Sequence, residues 1–234
     1  MRKPPRFRGV TQGGSVESPR TVHPSSPASL RGLPSCVALP LAVRDLRGTA
    51  LTRSLRFPTG DRVVVSGLPG SGKSTLIRRG ADAPATVRRV DSQDMREHWA
   101  GRLPRWLPYA LYRPLVRVAH YAALAAALAS PLSVVVHDCG TQGWVRRWLA
   151  ADARRRGRGL HLVLLDVPPD RAREGQAVRG RRVSRYAFAR HRRAVRRLVR
   201  EAETGRLPAG CASVVLLDRR AAEAVRRLVF EERG

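Results

Sequence analysis

The chain has 234 residues and 43% hydrophobic content, enough for one α/β domain with a sizeable core and an appendage. Its formal net charge of +27 rests on arginine, because Lys3 and Lys73 are the only lysines; a field of that size draws polyanions such as nucleic acid, nucleotides or anionic membrane, and a solvated arginine-rich surface is the competing reading. Three widely spaced cysteines, Cys36, Cys139 and Cys211, and six histidines without ligand spacing argue against a disulfide framework and against a structural metal site.

Residues 1–50 are rich in Pro, Ser, Gly and Arg, show no lasting apolar period, and read as a disordered basic tail. No secretory signal is expected there: the start is basic, but the apolar stretch 33–43 is short and broken by Pro34 and Pro40. The expected location is the cytoplasm, and the expected folded domain spans 57–232. Its first strand, 63–66, runs into Gly67-Leu68-Pro69-Gly70-Ser71-Gly72-Lys73-Ser74-Thr75, within which a helix begins that ends near Gly80. A strand, a glycine-rich turn and a helix start are the context a phosphate-binding loop requires. Backbone N–H groups of such a loop converge on an anion, Lys73 adds a positive charge for the outer phosphates, and the Ser74 hydroxyl is placed to hold Mg²⁺. The stretch implies a nucleoside triphosphate ligand, ATP with Mg²⁺.

Strand two, 85–90, leads into Asp91-Ser92-Gln93-Asp94-Met95-Arg96 and a helix through Trp99. Asp91 or Asp94 could accept the proton of an acceptor hydroxyl, and Arg96 could bind an anionic group on that acceptor. Acids at a helix start also suit the helix dipole, and the residues alone do not choose between the two carboxylates. Residues 104–129 read as helical with breaks at Pro108 and Pro114; Leu111, Leu115, Val118, Tyr121, Ala122 and Ala125 recur at helical spacing as a core-facing stripe. His120 and the Ser130-Pro131 break argue against a membrane span.

Strand three, 132–136, ends in His137-Asp138. Asp138 is expected to orient Mg²⁺ or its water shell, and His137 to serve packing or hydrogen bonding. A helix over 144–156, strand four over 160–167 and a short helix over 169–179 follow, then a loop over 180–184. Arg171, Arg173, Arg179, Arg181, Arg182 and Arg185 surround that loop. Phosphoryl transfer spreads negative charge over equatorial oxygens, and Arg179, Arg181 and Arg182 are the expected lid arginines that neutralise it. The helix over 186–202 carries Arg190, Arg192, Arg193, Arg196, Arg197 and Arg200, read as a mostly solvated face with some members able to hold a polyanion. Strand five, 213–217, is followed by Asp218 and Arg219, placed by topology near a bound adenine, and a last helix is expected over 221–230.

Five β runs alternating with helices define an α/β chain, and continuous apolar runs are the mark of parallel strands covered on both faces. The expectation is a three-layer P-loop NTPase fold with a five-stranded parallel sheet and an arginine-rich lid, its ligands at the carboxyl ends of the strands. The leading activity is a kinase passing the ATP γ-phosphoryl to a hydroxyl of unknown identity, such as a nucleic-acid end, a nucleotide sugar or an antibiotic-like molecule. The other reading is an ATP-dependent switch with slow hydrolysis, possible nucleic-acid association included.

Residues 58–232 resemble small bacterial ATP-binding proteins of the polynucleotide kinase, zeta toxin and chloramphenicol phosphotransferase type, often labelled AAA-family ATPases. The matching segments are Gly67 to Thr75, Val90-Asp-Ser-Gln-Asp-Met-Arg96, Val136-His-Asp138, Leu164-Leu-Asp166, and Gln176 to Val183 continuing to Phe188-Ala-Arg-His191. The resemblance implies strand order 2-3-1-4-5 and a lid arginine at Arg179 or Arg181. Polynucleotide-kinase-like members carry their acid three residues before the arginine, a position held here by Gln93. Chloramphenicol-phosphotransferase-like members place it in an Asp-Ser pair, which implies Asp91 as base with Asp94 second.

Overall fold

Val63-Val64-Val65, Val134-Val135-Val136, Leu162-Val163-Leu164 and Val214-Val215-Leu216 present apolar side chains to both faces of a sheet, and every one of them is buried. The structure is a computed structural model that describes residues 36–37, 42–80, 86–104, 106–137, 142–178 and 183–232. All of these lie in one unit, Pro34–Gly234. The expected site residues Asp138, Arg179, Arg181 and Arg182 fall outside the described residues, as does most of the expected tail.

The central sheet contains β2 (Val43–Asp45), β4 (Arg62–Gly67), β5 (Val87–Val90), β6 (Ser133–His137), β7 (Leu160–Leu165) and β8 (Ser213–Leu217). All six strands are parallel, in the order β2-β8-β7-β4-β6-β5. The five strands expected from sequence therefore stand in the order 2-3-1-4-5. Helices α1 (Lys73–Gly80), α3 (Tyr109–Ala129), α4 (Gly143–Arg155), α6 (Arg185–Glu203) and α7 (Arg219–Ala224) pack on this sheet, while α2 (Ser92–Arg102) packs on α3. Helix α5 (Pro169–Ala177) follows β7.

The sixth strand corrects the expected five. β2 lies inside the segment read as tail, and three residues are too few to show a period. It is held by register with β8, Val43 opposite Val214, and by Arg47 just beyond it. Arg47 Nη1 donates to Asp166 Oδ2 and to Glu203 Oε1, each at 2.8 Å, and its Nη2 to Asp45 Oδ2 at 2.6 Å.

A second parallel sheet, β1 (Cys36–Val37), β3 (Ser54–Pro58) and β9 (Arg227–Glu231), in the order β1-β3-β9, was not expected. β9 replaces the second half of the expected last helix. Phe230 sits opposite Phe57, ring centroids 5.9 Å apart, so cross-strand aromatic packing wins over the helical reading.

The expected core stripe of α3 is also corrected: Leu111, Leu115 and Val118 are 69%, 44% and 66% exposed. Val116, His120, Leu124, Ala127 and Leu128 face inward instead. The polar residues Arg113, Arg117 and His120 stand at steps of four and three on the stripe that is buried further along at Leu124 and Ala127, so polarity points to the wrong face as the outer one. Pro114 sits within the helix rather than breaking it.

At the amino ends of three central strands, His161 joins Asp61 Oδ2 at 2.9 Å to Ser213 Oγ at 2.8 Å, all three residues buried. Beside it, Arg62 is 1% exposed and donates to the carbonyls of Gly60, Leu132 and Leu128. Its two terminal nitrogens are met by these carbonyls and by Asp152, 3.5 Å from Nη2, whereas its Nε is buried without a hydrogen-bond partner among the described residues. Cys211 is buried as a free thiol, its pKa pushed up to about 11 chiefly by that burial.

Candidate functional site

β4 ends at Gly67, and α1 begins at Lys73, so the glycine-rich stretch forms the turn between them. Ser71 N–H donates to Leu68 O at 3.0 Å, and Leu76 N–H makes an early α1 bond to Gly72 O at 3.0 Å. Gly70 has φ +88°, and a Cβ there would lie 2.0 Å from Ala172 O on α5. Gly72 has φ +100° with open space where its Cβ would be. One glycine lets the turn press against α5; the other leaves the backbone bare for a ligand.

Lys73 is 4% exposed, and its Nζ donates to Gly67 O at 3.0 Å and Leu68 O at 2.8 Å. The ammonium is thus held over the turn rather than extended into solvent. Ser71 Oγ is buried without a hydrogen-bond partner among the described residues. A buried polar atom of this kind is costly unless something meets it. Together with the first N–H groups of α1, Ser71 Oγ and Lys73 make a donor set that fits a phosphate chain.

The strand order decides what stands beside the loop. β6 lies between β4 and β5, with Val65 opposite His137 and Val136 opposite Val90. This aligns Ser74 at the start of α1, His137 at the end of β6 and Asp91 just after β5. Ser74 Oγ is 3.5 Å from His137 Nε2, and His137 Nδ1 is 2.7 Å from Asp91 Oδ1. All three residues are buried. His137, read from sequence as a packing or hydrogen-bonding residue, links the loop to the acid cluster. Its position at the carboxyl end of the strand next to the loop strand was the available signal.

Asp94, on the first turn of α2, is 54% exposed at its side chain, and Arg89 Nη2 is 3.9 Å from its carboxylate. Its pKa is raised above the usual carboxylate value, first by partial burial and then by Asp91 nearby. Arg96 stacks over the Tyr109 ring at 4.1 Å. Asp138 lies outside the described residues, and among those described no group of three or more His, Cys, Asp or Glu could hold a metal ion.

On the other flank of the loop, a cleft of about 320 Å³ opens between the loop, α1, α5 and α7. Gly72, Thr75, Arg79, Val167, Glu174 and Arg219 are among its lining residues. Arg219 therefore shares a cleft with the loop, as topology suggests. Asp218 caps α7, accepting from Ala221 N–H at 2.7 Å, and also accepts from Gly48 N–H at 2.8 Å.

Gln176 opens a segment that carries the family resemblance, but sequence reasoning gave it no role of its own. It is 8% exposed, its Nε2 donates to Pro69 O at 3.1 Å, and its Oε1 accepts from Val183 N–H at 3.1 Å. One amide ties the phosphate loop to the segment leading into α6. A single Gln in a polar helix carries no sequence signal of such a role.

A parallel sheet with a glycine-rich loop, a buried lysine and a serine at the helix start defines a P-loop nucleotide-binding protein. The AAA domain family, AAA_33, matches residues 63–203, and the chain belongs to it. No curated protein matches the chain in sequence. Among solved structures it is similar to the tunicamycin resistance protein of Deinococcus radiodurans, at 14% identity and TM-score 0.43, covering 70% of this chain and 92% of that one. The PezAT chromosomal toxin–antitoxin system of Streptococcus pneumoniae gives 13% identity and TM-score 0.45, with 78% and 82% covered. The Pnkp1/Rnl/Hen1 RNA repair complex gives 18% and 0.46, with 64% of this chain and 47% of that chain covered. No helix among the described residues is long and apolar enough to cross a membrane.

Proposed function

We propose that the chain is an ATP-dependent phosphotransferase acting on a hydroxyl acceptor in the cytoplasm, where ATP is supplied. The observation that carries this reading is the line from Ser74 through His137 to Asp91, which brings a carboxylate cluster to the phosphate loop. The loop amides, Ser71 and Lys73 hold the triphosphate, and the base occupies the cleft beside Arg219. Ser74 and Asp138 are the residues that would hold Mg²⁺, whose charge would neutralise the phosphate oxygens. An acceptor O–H gives its proton to a carboxylate as its oxygen bonds the γ-phosphorus and the bond to the β-phosphate oxygen breaks, leaving ADP. Arg179, Arg181 and Arg182 stabilise the charge that builds on the transferring group.

Asp91 is the base implied by the family resemblance, and it is occupied by His137 at 2.7 Å. Asp94, half-exposed with a raised pKa, is the freer proton acceptor. The same pairing favours a second reading, an ATP-dependent switch in which Asp91 and His137 are structural and hydrolysis is slow. Acceptor-dependent ADP release separates the two: a kinase turns over ATP only with an acceptor present. Lys73→Ala is expected to weaken ATP binding by on the order of 10- to 100-fold by calorimetry. Unchanged affinity would remove the loop from the mechanism.

A further inference from the structure

We infer that the outer face of α6 is a binding surface for single-stranded nucleic acid, separate from the phosphate loop. The helix buries Phe188, Val195, Leu198, Val199 and Ala202. On the opposite side Tyr186, Arg190, Arg193, Arg197 and Arg200 are exposed, at steps of four, three, four and three residues. That spacing keeps them on one stripe of the helix. Beside the stripe, Arg193, Arg196, Arg197, Arg200, Glu201 and Arg206 line a depression of about 410 Å³. Five guanidinium groups there face one carboxylate, and that carboxylate stands 4.0 Å from Arg197 Nε.

On α5, α4 and α7, four arginines have an acid one turn away along the helix. Arg171 pairs with Glu174 and Arg173 with Asp170 on α5; Arg156 pairs with Asp152 on α4, and Arg219 with Glu223 on α7. On α6, Arg193, Arg196 and Arg200 have no acidic partner among the described residues. Arg193 with Arg196 and Arg197, and Arg200 with Arg196 and Arg197, are like-charge pairs one turn apart, each unfavourable to the isolated helix. A polyanion laid along the face turns that repulsion into attraction.

The geometry selects the ligand. Arg193 to Arg200 covers about 10 Å of helix axis, the rise of roughly three phosphates along a strand. Tyr186, 79% exposed, ends the stripe with an open ring on which an unpaired base can stack. A duplex keeps its bases paired and gives such a ring nothing to hold, and an anionic vesicle offers no base at all. The stripe starts close to Val183, whose N–H is bonded to Gln176 and through it to the phosphate loop. Binding here does not require that the strand also be the phosphoryl acceptor.

The test is fluorescence anisotropy on the full chain with a labelled 20-nucleotide single strand, a duplex of the same length and anionic phospholipid vesicles, over a salt series. In the parent, the single strand binds tightest, with a log–log salt dependence. Arg193→Ala/Arg197→Ala/Arg200→Ala lowers the slope by about 2, at roughly 0.7 for each phosphate that the variant no longer neutralises. It melts no lower than the parent, since like charges have been removed from the helix. Tyr186→Ala weakens single-strand binding roughly tenfold and leaves the slope unchanged. Arg154→Ala/Arg155→Ala, on α4, changes neither. Retention of parental affinity and slope by the triple variant overturns the site. Equal binding to the duplex or to vesicles, with Tyr186→Ala silent, overturns the assignment to single strands.

Discussion

Gly70 and Asp94 show how single residues set the terms of this site. Gly70 touches α5 backbone to backbone, with left-handed φ and no room for a methyl group. Gly70→Ala must therefore move either the loop or α5; a loss of about 2–4 kcal/mol in urea unfolding is expected, with a parallel loss of nucleotide binding. Asp94 has the opposite problem, a carboxylate disfavoured by partial burial and by Asp91. Its folded-state pKa is raised, so the folded chain holds that proton more tightly than the unfolded chain. The ionised group opposes folding as pH rises from the unfolded value near 3.8 through the raised one. Asp94→Asn is thus expected to melt higher than the parent at pH 7 and to lose that advantage below about pH 3.8. Equal melting of the two proteins at pH 7 would show that the carboxylate carries no strain. The two acids were visible in sequence as a pair, but their difference was not: only the fold puts His137 against one of them.

Among the elements, β2 depends most on one side chain. It is a short edge strand, and Arg47 fastens it to Asp45, Asp166 and Glu203. Those three carboxylates raise the Arg47 pKa above its ordinary value, Asp45 most of all. The cluster is partly exposed, so Arg47→Ala is expected to cost about 1–2 kcal/mol. The change should be local: amide exchange at Val43–Asp45 speeds up while β4 and β7 keep their protection. A uniform rise in exchange across the sheet would refute that. The long apolar strands were legible because burial on both faces leaves no polar position in them. β2 and β9 were not, since each is recognised only by the strand beside it. The outward stripe of α3 was misread for a different reason: its polar residues, Arg113, Arg117 and His120, lie on the stripe that the fold buries at Leu124 and Ala127.

For the molecule as a whole, a net charge of +27 opposes compaction by self-repulsion. Screening should therefore stabilise it, with a rise in melting temperature on the order of 3 °C between 0.05 and 0.5 M sodium chloride. A fall over that range would mean that the ion pairs dominate the net charge. Written in the sequence itself were the alternation of strands and helices, the phosphate loop and the arginine excess, since each depends on residues close together in the chain. Tertiary structure alone decided that six strands share the sheet, that His137 stands between Ser74 and Asp91, and that Gln176 joins the loop to the approach of α6. These are relations between segments distant in sequence, and no local pattern encodes a partner that only the folded backbone brings near.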